Sequence, residues 1–289
     1  MATLVVLAAG MGNRFGGLKQ IAAIGPNHES ILEYSLYDAI RAGFTRVVFV
    51  IRAEFESAFK NRFSSVNTHV KIDFSYQEIG LNRDKPWGTA HALLSVKGIV
   101  DEPFALINAD DFYGLHSYDL LNSYIINEVK VNQACMVSFP LINTLSENGT
   151  VNRGICQVTN TNVLVEVVER ENISRKNGQI ISVDDLGNTT SLDNEAMTSM
   201  NCWVFHHSIF KNLEQFFLHF LDRYNDDKSK ECYLPEFVNE MLKHNKLEVL
   251  LKQSSAEWFG ITYRLDCEMA KNRIKEFNLQ GVYPQELWK

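Results

Sequence analysis

The sequence predicts a three-layer α/β fold, a mixed but mainly parallel sheet with helices on both faces. Three observations carry this. Short β-branched runs alternate with helix-period segments through the first half of the 289 residues. The first run opens directly into a glycine-rich loop, and a later run ends on two adjacent carboxylates, where open α/β sheets meet their ligands.

The strands expected in order are Thr3 to Leu7, Arg46 to Ile51, Val70 to Tyr76, Phe104 to Asn108 and Gln133 to Phe139. Between the first two, Ile31 to Ala42 reads as a helix, because Leu32, Leu36, Ala39 and Ile40 share one face and Gly43 stops it. Glu54 to Arg62, Thr89 to Val96 and Tyr118 to Glu128 supply three more. The second half is less regular. Ile155 to Val158 and Val163 to Val168 read as an antiparallel pair turning at "TNTN", and Asn201 to Phe205 as a further strand. Helices return at Ser208 to Tyr224, Leu234 to His244 and Asp266 to Phe277. No Pro-, Gly- or Ser-rich linker and no internal repeat divides the chain, so residues 1–289 read as one Rossmann-like domain. Its halves are 1–128, with the regular strand–helix alternation, and 129–289, with the less regular strands and the C-terminal helices.

Composition narrows the function. A formal net charge of -7 argues against nucleic acid as a partner, since binding a phosphate backbone needs clustered Lys and Arg. The five cysteines are odd in number, widely spaced and form no C-x-x-C pair, which suits reduced thiols in a cytoplasmic protein. The apolar start "LVVLAA" is short, lacks basic residues before it and runs into glycine, so neither a signal peptide nor a membrane span is expected. Trp288, close to the end of the chain, is expected to dock.

Residues 7–20, "LAAGMGNRFGGLKQ", set Arg14 and Lys19 among bare backbone. A P-loop would need G-x-x-x-x-G-K-[ST]; here Leu18 separates Gly17 from Lys19, and Gln20 replaces the hydroxyl residue. A dinucleotide fingerprint started at Gly10 would need a third glycine where Phe15 stands, and an acidic residue where the second strand runs on to Arg52. A turn serving only tight packing has no use for two cations.

The stretch resembles the signature loop of sugar-1-phosphate nucleotidylyltransferases, the nucleotide-sugar pyrophosphorylases, which have a glycosyltransferase-A-like fold. The resemblance implies that Arg14 and Lys19 grip the triphosphate and the departing pyrophosphate, with Leu7, Ala9, Gly10 and Gly12 against the nucleotide. "PWGTAHALL" at 86–94 resembles the family segment on which the base lies, giving Gly88 and Thr89 to the nucleotide site, with Gln77 as a base contact. His91 repeats a residue common in uridylyltransferases, and also reads as a buried helix histidine.

"FALINADDFYG" at 104–114 ends in paired acids that are costly to hold without a counterion. By resemblance Asp110 is the ligand of a Mg²⁺ ion, with Asp111 beside it as a supporting or substrate contact; an N-cap for the next helix is the structural alternative. Gly154 in "NRGICQV", Glu169 and Arg170 in "VEVVERENI", and Asn201 in "SMNCWVF" match family positions for the sugar and its phosphate, while Trp203 is a pocket wall or core. The chain departs from the family at "EWFGITYRLD", where a second metal ligand usually stands. Thr262, a swung-in Asp266, or water and phosphate oxygens around one carboxylate could complete the shell.

The implied activity is a magnesium-dependent nucleotidylyltransferase that joins a nucleoside triphosphate, UTP before CTP or dTTP, to a sugar-1-phosphate and releases pyrophosphate. The partners are therefore small molecules, and a homo-oligomer is compatible with them. The alternatives are a cytidylyltransferase acting on a non-sugar phosphate such as phosphocholine, an inactive nucleotide-binding paralogue, a glycosyltransferase and, last, a Rossmann-type oxidoreductase.

Overall fold

The computed structural model describes residues 2–10, 19–80, 83, 85–261 and 265–289. Arg14, Gly12, Thr262 and Tyr263 lie outside the described residues, as does the side chain of Lys19.

Strand β1 (Thr3–Leu7) is followed by α1 (Ile31–Arg41), β2 (Arg46–Ile51), α2 (Glu56–Arg62), β3 (Lys71–Tyr76), α3 (Thr89–Leu94), β4 (Phe104–Asn108), the two-residue β5 (Asp111–Phe112) and α4 (Leu115–Asn127). Then come β6 (Gln133–Pro140), β7 (Val151–Val158), β8 (Leu164–Lys176), β9 (Gln179–Val183), β10 (Thr189–Leu192) and β11 (Met197–Phe205). The chain closes with α5 (Ile209–Tyr224), α6 (Leu234–Lys243), β12 (Glu248–Gln253), the short β13 (Phe259–Gly260) and α7 (Asp266–Leu279). The α/β expectation holds. The first four large strands stand in the order β3-β2-β1-β4, all parallel, with Val5 level with Val48 and Leu106.

β11 runs against this direction. It pairs antiparallel with β4 and with β6, and β12 then adds in parallel to β6. β11 also starts a second branch, because Thr198 and Ser199 pair with Ile155 and Gly154 of β7, and β8, β9 and β10 follow as an antiparallel ribbon. The turn between β7 and β8 falls at "TNTN" as expected, with Asn162 supplying the left-handed residue at φ 59.

Both sheet faces are covered. One core gathers Leu4, Val6, Phe49, Ile107 and Val137 with α1, α2 and α4; the other gathers Val5, Val48, Leu106, Met136 and Trp203 with α3, α5 and α6. Trp203 is fully buried and stacked on Phe205, with ring centroids 5.6 Å apart, so it belongs to the core and not to a pocket wall. None of the five cysteines forms a disulfide. No helix among the described residues is long and apolar enough to cross a membrane.

The C-terminal tail docks on α1. Trp288 meets Tyr37 edge-on at 5.8 Å, and the Tyr283 hydroxyl donates to Asp38 Oδ2 at 2.6 Å. Burial pushes the Asp38 carboxyl up to about 7, with the Tyr283 hydrogen bond and Arg41 pulling the other way. The native state therefore keeps a proton that the unfolded chain releases near its ordinary pKa of about 4, and the stability tied to that proton is lost as pH rises through about 7. Asp38→Asn is expected to raise the melting temperature at pH 8 by several degrees over wild type, with the gap closing toward pH 4; equal curves at both pH values would refute this.

Candidate functional site

The parallel strands end on one edge, and the site is assembled there. Leu7 closes β1, and Ala9 and Gly10 lead into the glycine loop. Gln20, buried in the turn that begins at Lys19, donates from Nε2 to the carbonyl oxygens of Ala8 at 3.3 Å and Gly10 at 2.8 Å. Its amide ties the two ends of the loop together, a role that its place in a failed P-loop pattern did not reveal.

At the end of β3, Gln77 is buried, and its Nε2 donates to Gly88 O at 2.9 Å and lies 3.3 Å from His91 Nδ1. His91 stacks on Phe217 at 4.7 Å, and burial pushes its imidazole down to about 4. It is neutral near pH 7, so Nδ1 can accept. Both amide hydrogens of Gln77 are then spent, and its carbonyl oxygen is the group left to meet a ligand. Gly88 takes φ +105, and a Cβ there would stand 2.5 Å from Cys232 O. The corner is closed by Cys232 N–H to Trp87 O at 2.6 Å, Ala90 N–H to Cys232 O at 3.0 Å, and Leu234 N–H to Thr89 Oγ1 at 2.9 Å.

β4 delivers Asn108, Asp110 and Asp111. Asp111 is buried and structural in its contacts: its Oδ2 accepts from Asn108 Nδ2 at 3.0 Å and lies 3.2 Å from the Tyr113 hydroxyl. Asp110 is half-buried and lines a cavity at this strand edge. Neither acid caps α4, since Gly114 holds that position. β13 pairs with β5, and Ile261 N–H donates to Asp110 O at 3.1 Å, which fixes the end of the β13 segment beside the paired acids. Asp266 stays away. Its Oδ1 accepts from Asn148 Nδ2 at 2.8 Å, and it faces a separate cavity of ≈ 620 Å³ beyond Arg153 and Trp258.

The other side of the site is built where β11 changes partners. Its register with β6 breaks between Ser199 and Trp203, and Asn201 sits inside that bulge at φ 54, a conformation asparagine tolerates better than most residues. Across the ribbon Gly154 stands opposite Glu169, and a Cβ on Gly154 would meet Val167 Cγ1 at 2.6 Å. Glu169 opens to the cavity but is walled by protein, and this desolvation raises its carboxyl above the ordinary range although Arg153 opposes it. Arg170, one residue further along β8, lines neither of the two site cavities. Among the described residues the cation that shares a cavity with Glu169 is Arg153, which the sequence motifs did not single out.

Two cavities result. One, of ≈ 380 Å³, is lined by Leu7, Ala9, Gly10, Gln77, Gly88 and Thr89, among others. Its neighbour, of ≈ 240 Å³, is lined by Asp111, Arg153, Gly154 and Glu169 with Trp258. Asn108, Asp110 and Asn201 line both. Among the described residues no three His, Cys, Asp or Glu side chains cluster as a ready metal site. The donors at the junction, a half-buried carboxylate, a second carboxylate and a side-chain amide, are hard oxygen ligands of the kind Mg²⁺ takes when substrate phosphates complete its shell.

Searches for relatives agree with this geometry. Residues 3–259 match the family model described as nucleotidyl transferase. Among solved structures, the chain superposes with a TM-score of 0.67 and 11% identity on a protein assigned as a glucose-1-phosphate thymidylyltransferase from Bacillus anthracis, covering 96% of each chain. The inositol-1-phosphate CTP transferase of T. maritima gives 0.64 and 14%, covering 95% of this chain and 96% of the other. The UDP-glucose pyrophosphorylase of Acinetobacter baumanii gives 0.61 and 15%, over 98% and 99%. No curated protein sequence matches. With a family match that spans residues 3–259 of its 289, the chain belongs to the nucleotidyl transferase family.

Proposed function

We propose that the protein is a magnesium-dependent nucleotidylyltransferase that joins UTP to a sugar-1-phosphate, releasing pyrophosphate. The observation that carries this reading is the meeting of a nucleotide-sized cavity and a smaller polar one at Asp110, with Asn108 and Asn201 shared between them. In-line displacement needs two substrates whose reacting ends converge on one charged point.

In this reading the triphosphate lies with its base on the corner of Gln77, Gly88 and Thr89 and its phosphates toward Gly10, Arg14 and Lys19. A sugar-phosphate oxygen attacks the α-phosphorus, the bond to the α,β-bridging oxygen breaks, and pyrophosphate leaves. The nucleophile is already ionised at neutral pH, so no side chain need remove a proton. Asp110 would hold Mg²⁺, which when bound neutralises charge on the phosphates. Asp111 orders Asn108 at the junction, while Glu169, Asn201 and Gly154 meet the sugar.

Preference for uracil or thymine over cytosine would rest on the Gln77 amide oxygen, the acceptor left once Nε2 is engaged by Gly88 O and His91, because uracil and thymine carry a donor N3–H where cytosine has a lone pair. A sugar is favoured over phosphocholine because the aromatic of the acceptor cavity, Trp258, already has the Arg153 guanidinium 5.1 Å from its ring centroid, leaving no open cage for a quaternary ammonium.

Pyrophosphate release, measured with Mg²⁺ for each common nucleoside triphosphate against sugar-1-phosphates and phosphocholine, tests the reading. Release requiring UTP and one sugar phosphate is the expected result; triphosphate binding with no release would point to a non-catalytic nucleotide-binding protein. Lys19→Ala should lower turnover by about 10²-fold or more while leaving the melting temperature unchanged, and near-normal turnover would remove Lys19 from its role.

A further inference from the structure

We infer that Arg153 holds the phosphate of the acceptor, in the place the sequence motif gives to Arg170. The inference rests on the proposed transferase reading and names the residue that receives its second substrate.

The acceptor cavity is lined by three carboxylates, Asp110, Asp111 and Glu169, and by a single cation among its described residues, Arg153. A phosphate monoester carries close to two negative charges at neutral pH, so it cannot sit beside those acids without a cation of its own. Arg153 is prepared for it. Its Nε donates to Thr144 O at 3.1 Å, Nη2 donates to the same oxygen, and Nη1 donates to Asn152 O at 2.8 Å, while the guanidinium lies over Trp258. Of five N–H hydrogens three are spent on carbonyls, which leaves one on each η nitrogen, a pair that suits two oxygens of one phosphate.

Carbonyl partners fix the group without cancelling its charge. No described carboxylate comes within ion-pair distance of Arg153, although Asp111, Glu169 and Asp266 act on it from further away, and burial disfavours its charged form. A half-buried cation tied down by neutral groups costs stability unless something anionic completes it. Arg170 has none of this preparation: it pairs across the ribbon with Arg153 and borders neither site cavity.

The test compares Arg153→Lys, Arg153→Gln and Arg170→Gln with wild type, using glucose-1-phosphate and the other sugar phosphates of the panel. Arg153→Lys keeps the stem and the charge but loses the fork, and should raise the acceptor KM by about tenfold; Arg153→Gln should cut kcat/KM for the acceptor by about 100-fold. The triphosphate dissociation constant should stay within about twofold in both, and Arg170→Gln should leave every constant within about threefold, well under one charge-assisted hydrogen bond. Acceptor constants unchanged in both Arg153 variants, or triphosphate and acceptor constants shifted together, would overturn the inference while leaving the transferase reading intact. If wild type releases no pyrophosphate with any acceptor, that reading fails, and binding of glucose-1-phosphate and inorganic phosphate is then followed by ³¹P line broadening. Binding that Arg153→Gln abolishes and Arg170→Gln preserves supports the inference, and binding that is absent or indifferent to Arg153 overturns it.

Discussion

Asp110→Asn should lower pyrophosphate release by about 10³-fold or more, with triphosphate binding weakened far less and the fold unchanged. The asparagine is isosteric, and what the backbone does at this position survives, since it is the main-chain oxygen of Asp110 that accepts from Ile261 N–H at 3.1 Å. The substitution removes the negative charge that Asp110 brings to the lining shared by the two cavities. Asp111→Asn gives the contrast. Its carboxylate is buried and accepts from Asn108 Nδ2 at 3.0 Å, beside the Tyr113 hydroxyl that also reaches Met200 O at 2.8 Å. An amide can still turn its oxygen toward Asn108 Nδ2 but loses the charge that strengthens that bond, and should cost about 1 kcal/mol of stability as well as activity. Pyrophosphate release and thermal unfolding, measured on both variants, check the pair: activity lost without stability at Asp110, and both lost at Asp111. Normal turnover in Asp110→Asn would remove it as the metal ligand.

The parallel half of the fold was legible because nothing competes there. β1, β2 and β4 are unbroken apolar runs buried on both faces, and their bounds match the sequence expectation to the residue. The ribbon was legible only where it is half-buried. β8 continues from Val168 through "ERENISRK" to Lys176, a stretch with one fully buried residue, Ile173, and β10, "TTSL", is almost wholly exposed; neither shows an alternation that sequence patterning can detect. β12 was missed for a different reason. Its "EVLLKQ" follows α6 after a few residues, and a short apolar run in that setting reads equally well as helix.

For the site, residues on strand ends and glycine corners were legible, because their type is dictated by backbone geometry. Gly88, Gly154 and Asn201 all fall where a side chain would collide or the backbone turns left-handed. Arg153 was not legible. Its neighbour Gly154 carried the motif, and the groups that aim it, Thr144 O and Trp258, are distant in sequence and met only in three dimensions. Gln20 and the tether it makes across the glycine loop were hidden in the same way.

Gly88→Ala should both destabilise the protein and weaken triphosphate binding, and the two effects have one origin. At φ +105 the backbone suits glycine alone, and an alanine Cβ would stand 2.5 Å from Cys232 O and 2.8 Å from Cys232 N. Strain of this kind costs about 1–3 kcal/mol, and relief requires the corner to part from the 232–234 segment that fixes it. Parting moves Gly88 O, the acceptor that holds Gln77 Nε2 at 2.9 Å, so the base contact shifts along with it. A loss of triphosphate affinity of about tenfold, one hydrogen bond or more, should accompany the drop in melting temperature. Two controls separate the causes. Gly98 has a similar φ of +84 but open space around its would-be Cβ, so Gly98→Ala should show the backbone strain without the clash and leave triphosphate binding untouched. Cys232→Ala in the Gly88→Ala background should rescue nothing, because the collision is with the main chain of residue 232 and not with its thiol. Wild-type affinity in a destabilised Gly88→Ala protein would mean that the corner is structural and that the base binds elsewhere along the cavity.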